Sequence, residues 1–318
     1  MKQMQIILGT MTFGSQVSRE VAKKMVELFT LAGHRELDTA YIYNEGETEK
    51  ILGRIIPKSA SSLFIASKVH PMVSGSLDGH SVKQQVDESL RRLKRSSLDL
   101  CYLHMPDPNT PIESALEAIA ELHEAGKVKA LGLSNYSAWM VVKIWHLCKS
   151  HGWPLPTVYQ GMYNAITRGV EAELLPALRD LGLRFYAYNP LAGGLLTGKY
   201  SSYSSLPKEG RFAVLPFYRD RYWKQSLFKA IESAVNECWT LGIHPAEAAL
   251  RWLLYHSALN GEAGDGIIIG ASSAEQLEQN LKASEAGPLP DSIAAAFDKA
   301  WEEGKCESPT YFREYRGE

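Results

Sequence analysis

The 318-residue sequence predicts an α/β fold, a (β/α)8 TIM barrel with a long loop after the seventh strand and an extra C-terminal helix and tail. Three observations predict it. Eight short apolar runs recur along the chain, helical patterns fill the intervals between them, and charged or hydrogen-bonding residues gather where the runs end. Strands of a parallel sheet covered by helices read as nearly continuous apolar runs, and eight of them alternating with helices suit a closed barrel.

In order, the strand candidates are residues 5–11 (QIILGTM), 36–40 (ELDTA), 63–69 (LFIASKV), 98–104 (LDLCYLH), 128–135 (VKALGLSN), 157–164 (TVYQGMYN), 183–190 (LRFYAYNP) and 266–270 (GIIIG). Each is too short for a helix and is closed by a polar or turn residue. The helix after the fourth strand is expected to start with Thr110 as N-cap, Pro111 at the first helical position and Glu113 completing a capping box, and to stop at Gly126. A second box is expected from Ser272 and Glu275. Residues 191–223 exceed the repeat, and long loops in compact domains are usually functional. Beyond the eighth helix, Ile293, Phe297, Ala300 and Trp301 share one face of a further amphipathic helix. With no linker or low-complexity stretch, residues 1–318 are expected to form one domain.

Composition narrows the function classes. The 34 basic and 36 acidic residues sum to −2, which leaves no basic field for nucleic acid. No apolar run is long enough to span a membrane, and no small-residue cleavage site follows an apolar core near the N-terminus. Cys101, Cys148, Cys238 and Cys306 are far apart without a C-x-x-C pair, so they read as reduced thiols of a cytoplasmic protein with no metal site. A monomer or homodimer is expected.

In such a barrel, chemistry gathers where strands end. Those positions hold Asp38 and Tyr43 after the second strand, Lys68 on the third, His104 on the fourth, Ser134 and Asn135 on the fifth, Gln160 on the sixth, and Tyr188 and Asn189 on the seventh. Lys68 interrupts an interior strand, and a buried Lys must be paired or shift its pKa; Asp38 is the partner at hand. Singly, each residue has an ordinary reading: packing for Tyr43, a satisfied core group for His104, a helix cap for Asp38. Together they suit proton donation to a carbonyl oxygen. Tyr43 would be the acid, with the Lys68 ammonium lowering its pKa, Asp38 keeping Lys68 charged and placed, and His104 orienting the oxygen. No side chain supplies a hydride, so a nicotinamide must.

The motifs LDTAYIY, SKV, LHMPD, GLSN, VYQGMYN and YNPLAGGLLTGKY, in this order over nearly the whole chain, resemble the aldo-keto reductase superfamily. LGTMTFG, RYW and the closing YFR are most similar to its aflatoxin-aldehyde and succinic-semialdehyde reductase branch. The resemblance implies reduction of aldehydes, including dicarbonyls, with NADP(H). It implies the same roles for Tyr43, Asp38, Lys68 and His104. Ser134, Asn135 and Gln160 match residues that hold the nicotinamide carboxamide, and Tyr188 matches the aromatic that stacks on its ring.

GGLLTGKY is one residue away from a P-loop, but Tyr200 stands where a Mg2+-binding hydroxyl would be, and the segment after it is unfit to begin a helix. Gly193, Gly194 and Gly198 instead let backbone N–H groups approach a pyrophosphate. Further cofactor contacts are expected from Met11, Pro190, Leu191, Leu195 and Thr197, and beyond the eighth strand from Gly270, Ser272, Gln276, Gln279 and Asn280. Gly270 and Gln276 replace the Lys and Arg with which many members read the 2′-phosphate, so Lys199 and Arg211 of the long loop are the expected substitutes. The tail YFREYRGE is expected to fold over the barrel mouth, with Arg313, and more weakly Tyr222, meeting a carboxylate-bearing aldehyde. Two other readings compete with the reductase: a non-catalytic nicotinamide-sensing barrel, and a metal hydrolase using His70 or His104 with Asp38. The second lacks ligands at metal spacing.

Overall fold

Eight parallel strands pair in sequence order and close on themselves, leaving no edge. They are β1 (Gln5–Gly9), β2 (Glu36–Asp38), β3 (Phe64–Val69), β4 (Leu100–Leu103), β5 (Leu131–Ser134), β6 (Pro156–Met162), β7 (Arg184–Tyr188) and β8 (Gly266–Ile269). β1 completes the ring by pairing with β2 on one side and β8 on the other. The computed structural model describes residues 4–57 and 62–313.

The expected runs overshoot the strands by one to three residues at one or both ends. The hydrogen-bond ladder stops where the backbone turns out toward a helix, whereas burial continues past that point: Thr10, Thr39, Ala40 and Asn164 have no exposure. Composition reads burial rather than pairing.

Helices α1 (Arg19–Leu31), α2 (Glu47–Ile55), α3 (Gly79–Leu93), α4 (Ile112–Glu124), α5 (Ala138–His151) and α6 (Leu174–Asp180) each follow the strand of the same number. α1 shows why these segments coil. Ser18 caps it by accepting from the Val21 N–H, and Ala22, Met25, Val26 and Phe29 bury one stripe against the strands. Four helices follow β7 before the chain returns to the barrel: α7 (Arg211–Val214), α8 (Pro216–Tyr222), α9 (Gln225–Thr240) and α10 (Pro245–Tyr255). α11 (Ala274–Glu285) follows β8, and α12 (Asp291–Gly304) packs on α9, burying Ile293, Phe297 and Ala300. Trp301, expected on that face, is only half-buried.

Both expected capping boxes are corrected. Pro111, not Thr110, precedes the first residue of α4, and no side chain caps that helix. The Thr110 hydroxyl is drawn to Asp107 Oδ2 at 2.6 Å instead, which leaves Glu113 without a reciprocal partner. At α11 the cap is Ser273, accepting from Gln276 N–H, and the Gln276 carboxamide reaches back to Ser272 N–H at 3.0 Å. The cap thus lies one residue beyond Ser272, because the chain turns into the helix one residue later, and the return bond goes to the residue before the cap.

Inside the ring, Ile7, Ala66, Leu100, Tyr102, Val158, Tyr186 and Ile268 form a cluster separate from the larger core between strands and helices. At the end where strands begin, Glu36 accepts from the Tyr186 hydroxyl at 3.0 Å, and Arg184 donates to that hydroxyl at 3.2 Å. Burial pushes the Glu36 carboxyl up to about 7. The four cysteines are free thiols, three buried and Cys306 exposed. Among the described residues no helix is long and apolar enough to cross a membrane.

Candidate active site

At the other end of the barrel, where strands finish, the expected quartet converges. Asp38 ends β2 and Lys68 projects from β3; the Lys68 Nζ donates to Asp38 Oδ1 at 2.5 Å and to the Thr39 carbonyl at 2.6 Å. The pair is dry, with side-chain exposures of 0% and 4%. Gln160 of β6 donates to the second Asp38 oxygen at 2.8 Å, so both carboxylate oxygens are engaged. Lys68 Nζ also stands 3.4 Å from the Tyr43 hydroxyl. His104, just past β4, sets its ring edge-on to that of Tyr43, with 6.1 Å between centroids. His104 Nδ1 is buried without a hydrogen-bond partner.

The electrostatics correct one expectation. Tyr43 is pushed well above the ordinary phenol range, first by burial and then by the negative charge of Asp38. The Lys68 ammonium, matched by Asp38 at 2.5 Å, does not reverse this. Burial also lowers Lys68 itself, with Asp38 opposing the shift. His104 is held well below its ordinary value by burial and then by the facing His70, whose own ring is lowered to about 4 by burial. Near neutrality the site therefore presents a protonated phenol and an uncharged imidazole. One can give a proton, and the other can donate a hydrogen bond without adding charge.

The sequence signature of the aldo/keto reductase family matches residues 5–302. The chain belongs to the aldo/keto reductase family. It is 49% identical to the mouse protein "Aflatoxin B1 aldehyde reductase member 2", over 96% of this chain and 87% of the mouse one. It is 47% identical to the human "Aldo-keto reductase family 7 member A3", over 96% of each chain. The fungal "Oxidoreductase sirO" of Leptosphaeria maculans is 37% identical, again over 96% of each chain.

The remaining rim of this aldo/keto reductase is tied together by side chains expected to meet a cofactor. Asn135 has φ +66° and donates to the His104 carbonyl at 2.8 Å and to Ser134 Oγ at 3.0 Å. Tyr188 donates to Asn135 Oδ1 at 2.8 Å. Next to it, Asn189 Oδ1 accepts from the Tyr218 hydroxyl, while Asn189 Nδ2 is buried and unpartnered. Pro190, Leu191, Leu195 and Thr197 lie on the turn that follows, and Thr197 donates to the Gly194 carbonyl at 2.7 Å. Gly193 and Gly194, at φ +69° and +112°, put that turn in the left-handed region, where a side chain is strained. Met11 lies on the loop after β1, its carbonyl accepting from Asn44 at 2.8 Å.

Beyond β8, Gly270 lies beside Arg211. A Cβ there would meet only Arg211 at 3.6 Å and the Gly9 carbonyl at 3.9 Å. Arg211 rests over the Tyr218 ring with no carboxylate partner among the described residues, and its charge is felt at Tyr43. A guanidinium without a carboxylate among the described residues, beside a glycine, and an orphaned amide fit an anionic dinucleotide. Lys199 is exposed and Gln279 points to solvent; Asn280 reaches the Gly270 carbonyl at 3.5 Å. Gln276 is committed to Ser272, as described above.

On the expected substrate side, Tyr222 is corrected. It is fully buried, its hydroxyl accepting from Asn164 Nδ2 at 3.2 Å, so it offers no wall to a ligand. The sequence reading missed its neighbours on the same helical face, Tyr218 and Arg221. Positions 218, 221 and 222 share one face of α8 by their i, i+3, i+4 spacing, and that spacing was available in FYRDRYW. Arg221 is 9% exposed, lies over the Phe217 and Tyr218 rings, and has an Nε with no partner. Its charge pulls Tyr188 downward against the burial that lifts that phenol to about 12. The tail does return to the rim: Arg313 N–H donates to the Asn135 carbonyl at 2.9 Å, and the Tyr311 hydroxyl accepts from Ala138 N–H at 3.1 Å. The last five residues of YFREYRGE lie outside the described ones. No group of three or more His, Cys, Asp or Glu among the described residues could hold a metal.

Proposed function

We propose that this chain, acting as one barrel domain, reduces aldehydes to alcohols with NADPH, and that its substrates include short aldehydes bearing a carboxylate. The reading rests on one observation above the rest: the Tyr43 hydroxyl lies 3.4 Å from Lys68 Nζ, whose charge is matched by Asp38, beside an uncharged His104. Bound nicotinamide would supply the hydride to the carbonyl carbon. The chain's own groups do the rest. Tyr43, half-buried and kept protonated by its surroundings, gives its proton to the carbonyl oxygen. Lys68 Nζ, 3.4 Å away, then donates a hydrogen bond to the phenolate left behind, a charge that exists only once the proton has moved. His104 donates from Nε2 to the same oxygen and so helps fix which face of the carbonyl is turned to the cofactor.

Ser134, Asn135, Gln160 and Tyr188 would hold and stack the nicotinamide, the turn through Gly193 and Gly194 would receive the pyrophosphate, and Arg211 beside Gly270 would meet the 2′-phosphate. Arg221, a buried cation without a carboxylate partner among the described residues, favours an acidic substrate, with Arg313 as a second contact. The relatives named as aldehyde reductases support the reaction class.

The test is Tyr43→Phe. Following NADPH absorbance with an aldehyde, loss of its proton donor should lower turnover on the order of 10²–10⁴-fold while NADPH affinity stays within about twofold. A variant that keeps more than about half of the wild-type turnover would remove Tyr43 from the mechanism. A wild-type protein that binds NADPH and never oxidises it would instead be a sensing barrel.

A further inference from the structure

The loop that carries Tyr43 is held in an unfavourable shape. Asn44, Glu45 and Gly46 follow one another with φ of 48°, 55° and 84°, three successive left-handed residues of which two have a Cβ. Such backbone persists only where its surroundings over-determine it. From the barrel side, Asn44 Nδ2 donates to the Met11 and Phe13 carbonyls, both at 2.8 Å. From the outer side the constraint is a buried ion pair, Arg92 of α3 with Glu49 of α2, at side-chain exposures of 10% and 0%.

Arg92 touches the loop three times. Its Nη1 donates to the Tyr41 carbonyl at 3.0 Å, its guanidinium lies 4.1 Å over the Tyr41 ring, and it fills the space beside Gly46, where a Cβ would stand 2.4 Å away. Glu88 holds it in place from its own helix, accepting from Nε at 2.8 Å. Glu49 reaches the other catalytic strand: one oxygen accepts from Arg92 at 3.2 Å and the other from the Ser67 hydroxyl at 2.6 Å, one residue before Lys68. Tyr41 N–H, in turn, donates to the Lys68 carbonyl at 3.1 Å. A buried ion pair is poor evidence for stability, since desolvation offsets its attraction. Here it bridges the two segments whose side chains must meet.

We infer that Arg92 and Glu49 are positioning residues that set the Tyr43 hydroxyl against the Lys68 ammonium from behind, without touching the reacting atoms. The kinetic part of the inference rests on the reductase reading; the placement of Tyr43 does not.

The experiment uses the full chain as Arg92→Met, Arg92→Lys and Glu49→Gln, with ring-labelled tyrosine followed by NMR and the Tyr43 resonance assigned from Tyr43→Phe. In Arg92→Met the loop should admit water, so Tyr43 should titrate lower, toward the ordinary phenol value of about 10. Its kcat should fall on the order of tenfold to a hundredfold with KM and NADPH affinity within about twofold, the mark of a displaced acid rather than a lost binding site. Arg92→Lys keeps the charge but not the planar fork and should fall between the two. Glu49→Gln is nearly isosteric and should show the same direction should Arg92→Met fold poorly. The inference is overturned if the Tyr43 titration and kcat match wild type while thermal stability drops, which would make the pair a stability element alone. It is equally overturned if every tyrosine resonance shifts together. Because the titration needs no turnover, a wild-type protein inactive on aldehydes would defeat the reductase reading and still leave this one decided.

Discussion

Replacing Asp38 by Asn removes the charge opposite a Lys that has no water to turn to. The two side chains are 0% and 4% exposed, and Lys68 would keep only neutral acceptors: the Thr39 carbonyl, the Tyr43 hydroxyl and the Asn itself. Breaking a buried pair from one side typically costs about 3–5 kcal/mol, because the surviving charge is stranded. Lys68 has a way out, which is to release its proton. Burial already lowers its pKa and Asp38 is the largest influence opposing that, so Asp38→Asn should lower it further. A Lys with a depressed folded pKa binds fewer protons folded than unfolded. Stability is then lost as pH falls below the unfolded value and regained as pH rises toward it. The deficit of Asp38→Asn against wild type, measured by urea unfolding, should be largest near pH 7. It should shrink toward pH 9.5 by about 1.4 kcal/mol for each unit over which Lys68 is charged in wild type and neutral in the variant. A deficit equal at both pH values would refute this account, and would place the loss in the hydrogen bond from Gln160 rather than in the stranded charge.

Glu36 behaves in the opposite sense. Its carboxyl is raised to about 7, so the folded state loses stability as pH climbs from about 4.5 through 7, and Glu36→Gln should gain about 1 kcal/mol or more at pH 8 while changing little at pH 4. Arg211→Ala should weaken NADPH about tenfold or more and NADH far less, as read by fluorescence titration, if that guanidinium meets the 2′-phosphate. Equal losses for both would place it on the shared pyrophosphate. Arg221→Ala and Arg313→Ala should each raise KM for a carboxylate-bearing aldehyde by about tenfold, the equivalent of one charged hydrogen bond, and leave an uncharged aromatic aldehyde nearly unchanged. Parallel losses on both substrates would assign these residues to folding or loop closure.

Much of the architecture was legible because burial leaves a mark on composition. Eight apolar runs became eight strands, and the polar residues interrupting their ends met at one rim. Details decided by competition between neighbours were less readable. Thr110 was a plausible cap until Asp107 claimed its hydroxyl, a rivalry across three residues that no motif records. Tyr222 and Tyr218 differ by one helical turn, and only packing says that the first is sealed in while the second carries Arg211 and Arg221. The phenol pKa failed for a different reason. The sequence placed Asp38 and Lys68 together, but a cation matched at 2.5 Å acts as a dipole, and burial then decides the direction. Arg92 left no signal, since nothing in its helix says that it reaches Gly46 on another.

Closure of the ring has a consequence in time. β1 is the first strand made and cannot find its second neighbour until β8 exists, and the Thr12 hydroxyl waits for a carbonyl 259 positions downstream. A growing chain therefore carries a bare strand edge through most of its synthesis, which invites pairing with other chains. Even a closed barrel would lack its finish, since the Asn135 carbonyl takes its partner from Arg313, after α11 and α12. The rim is therefore complete only once residues 311–313 have folded back onto it.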